Sequence, residues 1–118
     1  MMINDAVNDV KTLFNTLELI DLDVGKEINT HGNYLVFDSF KPDDAMMDSG
    51  IFTFTIYMAL RSLKRGHETA YADLDAVFTA LGEAGQKNIV CECKNMELRQ
   101  FSAKLFIYAV TIEISRSW

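Results

Sequence analysis

Proline is nearly absent from this sequence: the 118 residues contain one. Disordered chains are usually enriched in proline and poor in apolar residues. Here 49% of the residues are hydrophobic, which points to a packed globule. Long apolar runs are also missing. The best stretches, Ile51 to Leu60 and Leu105 to Ile114, are interrupted by threonine or glutamate. Both fall well short of the roughly 20 apolar residues that a membrane-spanning helix requires. No basic region precedes an apolar run at Met1-Met2-Ile3-Asn4-Asp5, so no signal peptide is expected and a cytoplasmic location is. The six glycines are scattered, and none forms a phosphate-cradling loop.

Basic residues are scarce: 11 against 17 acidic ones, a formal net charge of −6. Nucleic-acid binders draw most of their affinity from phosphate neutralisation and show a basic stripe. The one basic cluster is Arg61, Lys64 and Arg65, so sequence-specific nucleic-acid binding is not expected.

Cysteine is rare too. Cys91 and Cys93 are the only two, and one intervening residue puts both on the same face of a strand. Two ligands fall short of a zinc site, and a bridge between them would be strained. They read as small hydrophobes on a strand.

Catalytic constellations fail on spacing. His67-Glu68-Thr69-Ala70-Tyr71 opens like the helical zinc motif, but tyrosine stands where the second imidazole must converge on the metal. Asp21-Leu22-Asp23 and Pro42-Asp43-Asp44 bring carboxylates together without a further ligand or basic partner, as surface turns often do. No serine lies in a Gly-x-Ser-x-Gly elbow. No enzyme activity, metal or cofactor is therefore expected.

What is present is periodicity. From Asn4 to about Leu19, Ala6, Val7, Val10, Leu13, Phe14 and Leu17 form a helical stripe, with Asn4 or Asp5 as cap. Val24 to Ile28 and Tyr34 to Phe37 read as a hairpin, and Asp38 to Gly50 as a long loop. Ile51 to Arg61 is the clearest strand: Phe52, Phe54, Ile56, Met58 and Leu60 share one face, and Thr53, Thr55, Tyr57 and Arg61 the other. A second helix is expected over Thr69 to Leu81, with Thr69 as cap, Gly82 as stop, and Ala70, Leu74, Val77, Phe78 and Leu81 buried. Asn88 to Cys93 and Phe101 to Ser115 complete a final hairpin, turning through Lys94 to Glu97. The expected fold is α+β, one domain over residues 1–118, in the order α-β-β-β-α-β-β. It has a single mixed or antiparallel sheet of four to five strands, with two helices on one face.

Partner binding is the function class with positive signals. Arg61, Lys64 and Arg65 end the long strand just before a helix whose charges are all acidic. Ordinary solvated charge explains this; so does head-to-tail contact between copies, where complementary charge sets register. The segment carrying Lys41, Asp43, Asp44, Met46 and Met47 is a second candidate interface, since methionine adapts to irregular surfaces but equally fills cores. Trp118 can anchor on a neighbour or fold back.

Arg61-Ser62-Leu63-Lys64-Arg65-Gly66, followed by Ala70-Tyr71-Ala72-Asp73-Leu74-Asp75-Ala76-Val77, resembles small tail proteins of contractile-tailed phages and prophages. The likeness is to a Mu-like group and, more loosely, to the tail terminator and minor tail protein families. In those families an N-terminal helix precedes strands, and a long strand ends in an Arg-x-Gly-type turn before a helix that starts Ala-Tyr or Gly-Tyr. A hairpin closes the chain. This sequence lacks a second glycine before Tyr71 and has a methionine-rich loop. The resemblance implies a structural protein that caps the tail tube as a ring, commonly a hexamer, and contacts tail tube and head–tail connector proteins. It would be found in the host cytoplasm during assembly and then in the virion tail. It brings no catalytic residues, and it implies a backbone-turn role for Gly66 and a packing role for Tyr71. The competing expectation is a monomeric protein-binding regulator or inhibitor acting through the 38–50 loop.

Overall fold

A computed structural model of the chain describes residues 2–22, 28, 30–43, 48–61, 66–101 and 105–117. Helix α1 spans Met2–Leu13 and α2 Gly66–Glu83; the strands are β1 Ile20–Asp21, β2 Gly32–Pro42, β3 Ser49–Arg61, β4 Val90–Phe101 and β5 Leu105–Ser117. The strands form one sheet in the order β1-β2-β3-β5-β4. All neighbours are antiparallel except β1 on β2. The fold is thus the expected α+β arrangement, with five strands and a mixed sheet.

Alternation along the strands decides which face is covered. Phe52, Phe54, Ile56 and Met58 of β3 are buried beside Ile114, Ile112 and Val110 of β5. They form one cluster with Ala6, Val10, Leu13, Phe14 and Leu17 from the first helical segment, and with Val77, Ala80 and Ala84 from the second. Both helices therefore lie on the same face. Burying each large apolar side chain is worth about 1.5–3 kcal/mol, so this single layer dominates stability.

Local chemistry sets the ends of α1. The helix begins at Met2, so Asn4 and Asp5 lie inside its first turns rather than capping it. Asp5 there still favours the positive helix end. After Phe14 the chain tightens into a 3-10 turn over Asn15–Leu17 and leaves it through Glu18, whose φ is 52°. The terminal carbonyls then need donors. Asn33 Nδ2 donates to the Leu17 carbonyl at 2.8 Å, and Lys87 Nζ to that of Thr12 at 3.3 Å. The Arg116 guanidinium of β5 pairs with the Asp9 carboxylate of α1.

Several boundaries differ from those read in the sequence. Val24–Glu27 lies outside the described residues, and Ile28 is not in a strand. The first strand is instead Ile20–Asp21, parallel to β2, so no hairpin joins the first two strands. Most of the expected 38–50 loop is strand: β2 runs to Pro42 and β3 starts at Ser49. The polar residues of this stretch occupy the uncovered face, where alternation and solvent hide the β pattern. Helix α2 starts at Gly66, so Thr69 lies inside it, and it ends at Glu83, one residue past the expected stop at Gly82. A 3-10 turn over Ala84–Lys87 follows and leaves through Asn88, whose φ of 56° supplies the left-handed exit. Lys94 to Glu97 is strand interior, and Phe101 belongs to β4.

Gly50 is required where β2 and β3 come together. A Cβ there would lie 2.7 Å from the Lys41 carbonyl oxygen and clash with the edge of the Phe40 ring.

Candidate functional site

The candidate site is a surface. On the face opposite the helices, β3 carries Ile51, Thr53, Thr55, Tyr57 and Ala59, and β5 carries Ile107, Ala109, Thr111, Glu113 and Ser115; of these Thr55, Ala59, Ile107 and Ala109 are buried. Tyr34 sits across from Tyr57, Thr55 across from Thr111, and Glu92 across from Glu113. No described helix lies over this face. A bulge in β2 at Asp38 turns its carboxylate onto Thr55, whose hydroxyl donates to it. At the β4 side Lys94 lies 3.7 Å from Glu92 and 3.9 Å from Glu113, and Arg99 lies 2.8 Å from Glu97. These exposed pairs contribute little stability but fix a charged rim.

The outer side of α2 is a second surface. Val77 and Ala80 are buried, whereas Tyr71 and Phe78 are 57% and 59% exposed. Seven residues are two helical turns, so the rings share a stripe about 10.5 Å long. Asp75, also exposed, lies between them. No lysine or arginine occurs in α2, which carries Glu68, Asp73, Asp75 and Glu83. Phe78 is therefore no core residue, correcting the expected buried stripe. Phe78 follows Val77 directly, and a hydropathy pattern alone does not say which of two adjacent residues faces inward.

The other expected positions separate. Lys41 is exposed at the end of β2; Asp43 is exposed in the turn, where its N–H donates to the Ser49 carbonyl at 3.0 Å. Arg61 is the last residue of β3 and pairs with Leu105. Ile51, opposite Lys41, and Arg61 lie ten positions apart on one strand, which is about 34 Å. The two expected interface patches thus occupy opposite ends of the sheet. Gly66 is the first residue of α2 rather than part of a preceding turn. Asp44, Met46, Met47, Lys64, Arg65 and Trp118 lie outside the described residues.

Reactive groups are dispersed. Burial pushes the Cys91 thiol up to about 12, with Cys93 and Glu92 adding to the effect. Burial also raises Cys93, against a hydrogen bond to the Asn95 carbonyl. Neither thiol is thereby prepared as a nucleophile, which needs a thiolate near neutral pH. Asp73 is raised by desolvation, while nearby His31 pulls it down. Among the described residues no group of three or more His, Cys, Asp or Glu side chains converges as a metal site. No described helix is long and apolar enough to cross a membrane.

No protein-family model matches the chain, and no curated protein matches it.

Proposed function

We propose that the protein is a structural phage tail protein of the terminator or completion type, which assembles as a ring at the end of the tail tube. One observation carries this reading: the Tyr71 and Phe78 rings stand exposed in one stripe along the outer side of α2, and exposed apolar groups that adjoin one another mark interaction sites. The element order α-β-β-β-α-β-β supports it, because the same order underlies the resemblance to tail proteins.

Tube and connector proteins would be the partners, and the host cytoplasm and then the virion tail the locations. A net charge of −6 suits a ring through which DNA must pass without sticking, since like charge suppresses phosphate contact. The regulator reading has less behind it, because only residues 43–48 separate the strands in the segment through which it would act.

Light scattering on the purified chain, alone and with tail tube protein, tests the proposal. A discrete oligomer, or one formed when tube protein is added, supports it. A monomer at high concentration that ignores tube protein overturns it.

A further inference from the structure

β4 is the outermost strand on its side of the sheet, and among the described strands only β5 pairs with it. An edge of this kind either recruits another strand or is guarded by charges and bulges. β4 carries both features. Glu92, Lys94, Glu97 and Arg99 are exposed, and the two register shifts set Lys94 and Arg99 out as extra residues. The order in which they come decides between guarding and recruiting.

Counted by its partners in β5, the strand has Met96 as a middle rung. Asn95, Cys93 and Glu92 lie one, two and three rungs before it; Glu97, Leu98 and Gln100 lie one, two and three after it. One extra residue falls in each half, so two copies of β4 laid antiparallel about Met96 stay in step. Glu92 and Glu97 belong to the sheet face opposite the helices, across from Glu113 and Ala109. Lys94, 3.9 Å from Glu113, and Arg99, 2.8 Å from Glu97, join them there. Along that face the signs run minus, plus, minus, plus. An antiparallel copy presents the same row reversed, which sets Lys94 beside Glu97 and Glu92 beside Arg99. On the helix face the same register sets Met96 against its own copy and Cys93 against Leu98. Met96 and Cys93 are half-buried on the core and Leu98 is 47% exposed, so pairing removes more apolar surface from water.

We propose that two copies of this chain pair edge to edge through β4, antiparallel about Met96, and so join their sheets into one. The contact is isologous: Lys94 of each copy meets Glu97 of the other. A row of one sign would repel a second copy, as guarded edges do. Alternating signs instead select one direction, because a parallel copy in step would set each charge against its like. The pairing does not rest on the ring reading, which uses the α2 stripe and closes through unlike surfaces.

Sedimentation of the full chain over a concentration series tests this, and the wild type should form a two-chain particle reversibly. Lys94→Glu and Glu97→Lys, each checked for folding by circular dichroism, bring like charges together twice per dimer. Each alone should weaken pairing by about tenfold or more. An equimolar mixture of the two should recover it, because every contact between positions 94 and 97 then joins opposite signs. In a Cys91→Ser/Cys93→Ser chain, Met96→Cys should cross-link two copies on oxidation. Opposed residues of antiparallel strands lie about 4.5–5.5 Å apart, within disulfide reach. Leu98→Cys in the same chain should not cross-link, since the two copies of that position lie four rungs, about 13.6 Å, apart. A monomeric wild type, charge variants that pair as the wild type does, a mixture that stays monomeric, or cross-linking at position 98 and not at 96 would overturn the proposal. A ring that forms unchanged in both charge variants would overturn it too, and would leave the ring reading standing. A two-chain particle that follows these charges, yet never grows when tail tube protein is added, would support the pairing and count against the ring.

Discussion

Arg116 of β5 and Asp9 of α1 form an ion pair across 107 residues of sequence, joining the last strand to the first helix. Both side chains are more than half-buried, and Arg116 Nε is buried without a hydrogen-bond partner among the described residues. Removing Asp9 would leave the mostly buried guanidinium without this carboxylate, the costly half of breaking such a pair. Asp9→Ala should therefore lower stability by about 1.5–3 kcal/mol, the range for a hydrogen bond to a charged group. Arg116→Met removes the unsatisfied donor together with the charge and should cost less. Urea denaturation of both variants checks the ordering; a larger loss for Arg116→Met would contradict it.

The glycines give a pair of opposite expectations. Gly50→Ala places a methyl against the Lys41 carbonyl and the Phe40 ring, and should destabilise by about 1–3 kcal/mol as overpacking does. Around Gly82, inside α2, no atom lies within 4 Å of the added carbon. Gly82→Ala should stabilise by about 0.4–1 kcal/mol, through lost freedom of the unfolded chain and better helix propensity. Thermal unfolding reads both, and shifts of the same sign would show that the local environments are misjudged.

On α2, adjacent residues should behave oppositely. Val77 is fully buried and Phe78 is not. Val77→Ala should lose about 1–3 kcal/mol through the cavity it leaves, whereas Phe78→Ser should stay within about 0.5 kcal/mol of wild type in the free chain. If the outer stripe is a contact surface, Phe78→Ser together with Tyr71→Ser should abolish assembly while leaving the monomer's unfolding midpoint in place. Sedimentation and denaturation of one preparation separate these effects.

Much of this architecture was legible because it depends on periodicity. The β3 alternation Phe52, Phe54, Ile56, Met58 is buried as read, and so is the first helical stripe, Ala6, Val10, Leu13, Phe14 and Leu17, apart from the half-buried Val7. Boundaries were harder where tertiary contacts override local signals. Thr69 looks like a helix start, yet α2 begins three residues earlier at Gly66, whereas Gly82 lies one residue from the helix's end at Glu83. Asp38 to Pro42 looks like loop because its polar residues lie on the face opposite the two described helices and its alternation is broken by a bulge. Register is a property of two strands, and one strand's sequence does not contain it. Among the surface candidates, Arg61 was read as the end of the long strand and is its last residue, whereas Lys41, read as loop, lies in β2; only the strand pairing places them at opposite ends of the sheet.

Asp73 supplies a prediction with a defined pH sign. Desolvation raises its carboxyl above 3.8, with His31 acting in the opposite sense. The folded state thus holds this proton more tightly than the unfolded state does, and ionisation costs stability. That cost is complete above the raised folded value and disappears as pH falls to the unfolded value near 3.8. Asp73→Asn removes the ionisable group, so it should be more stable than wild type at pH 7 by about half a kcal/mol, the usual limit for a site near the surface. The advantage should shrink as pH drops through the raised value and vanish below 3.8. His31→Ala should increase the advantage, because it deletes the one named influence that favours the carboxylate. Melting curves of the variants from pH 3 to pH 7 read these differences. An Asp73→Asn variant less stable than wild type at pH 7, with the gap closing on acidification, would mean that the carboxylate gains more from its neighbours than it loses to burial.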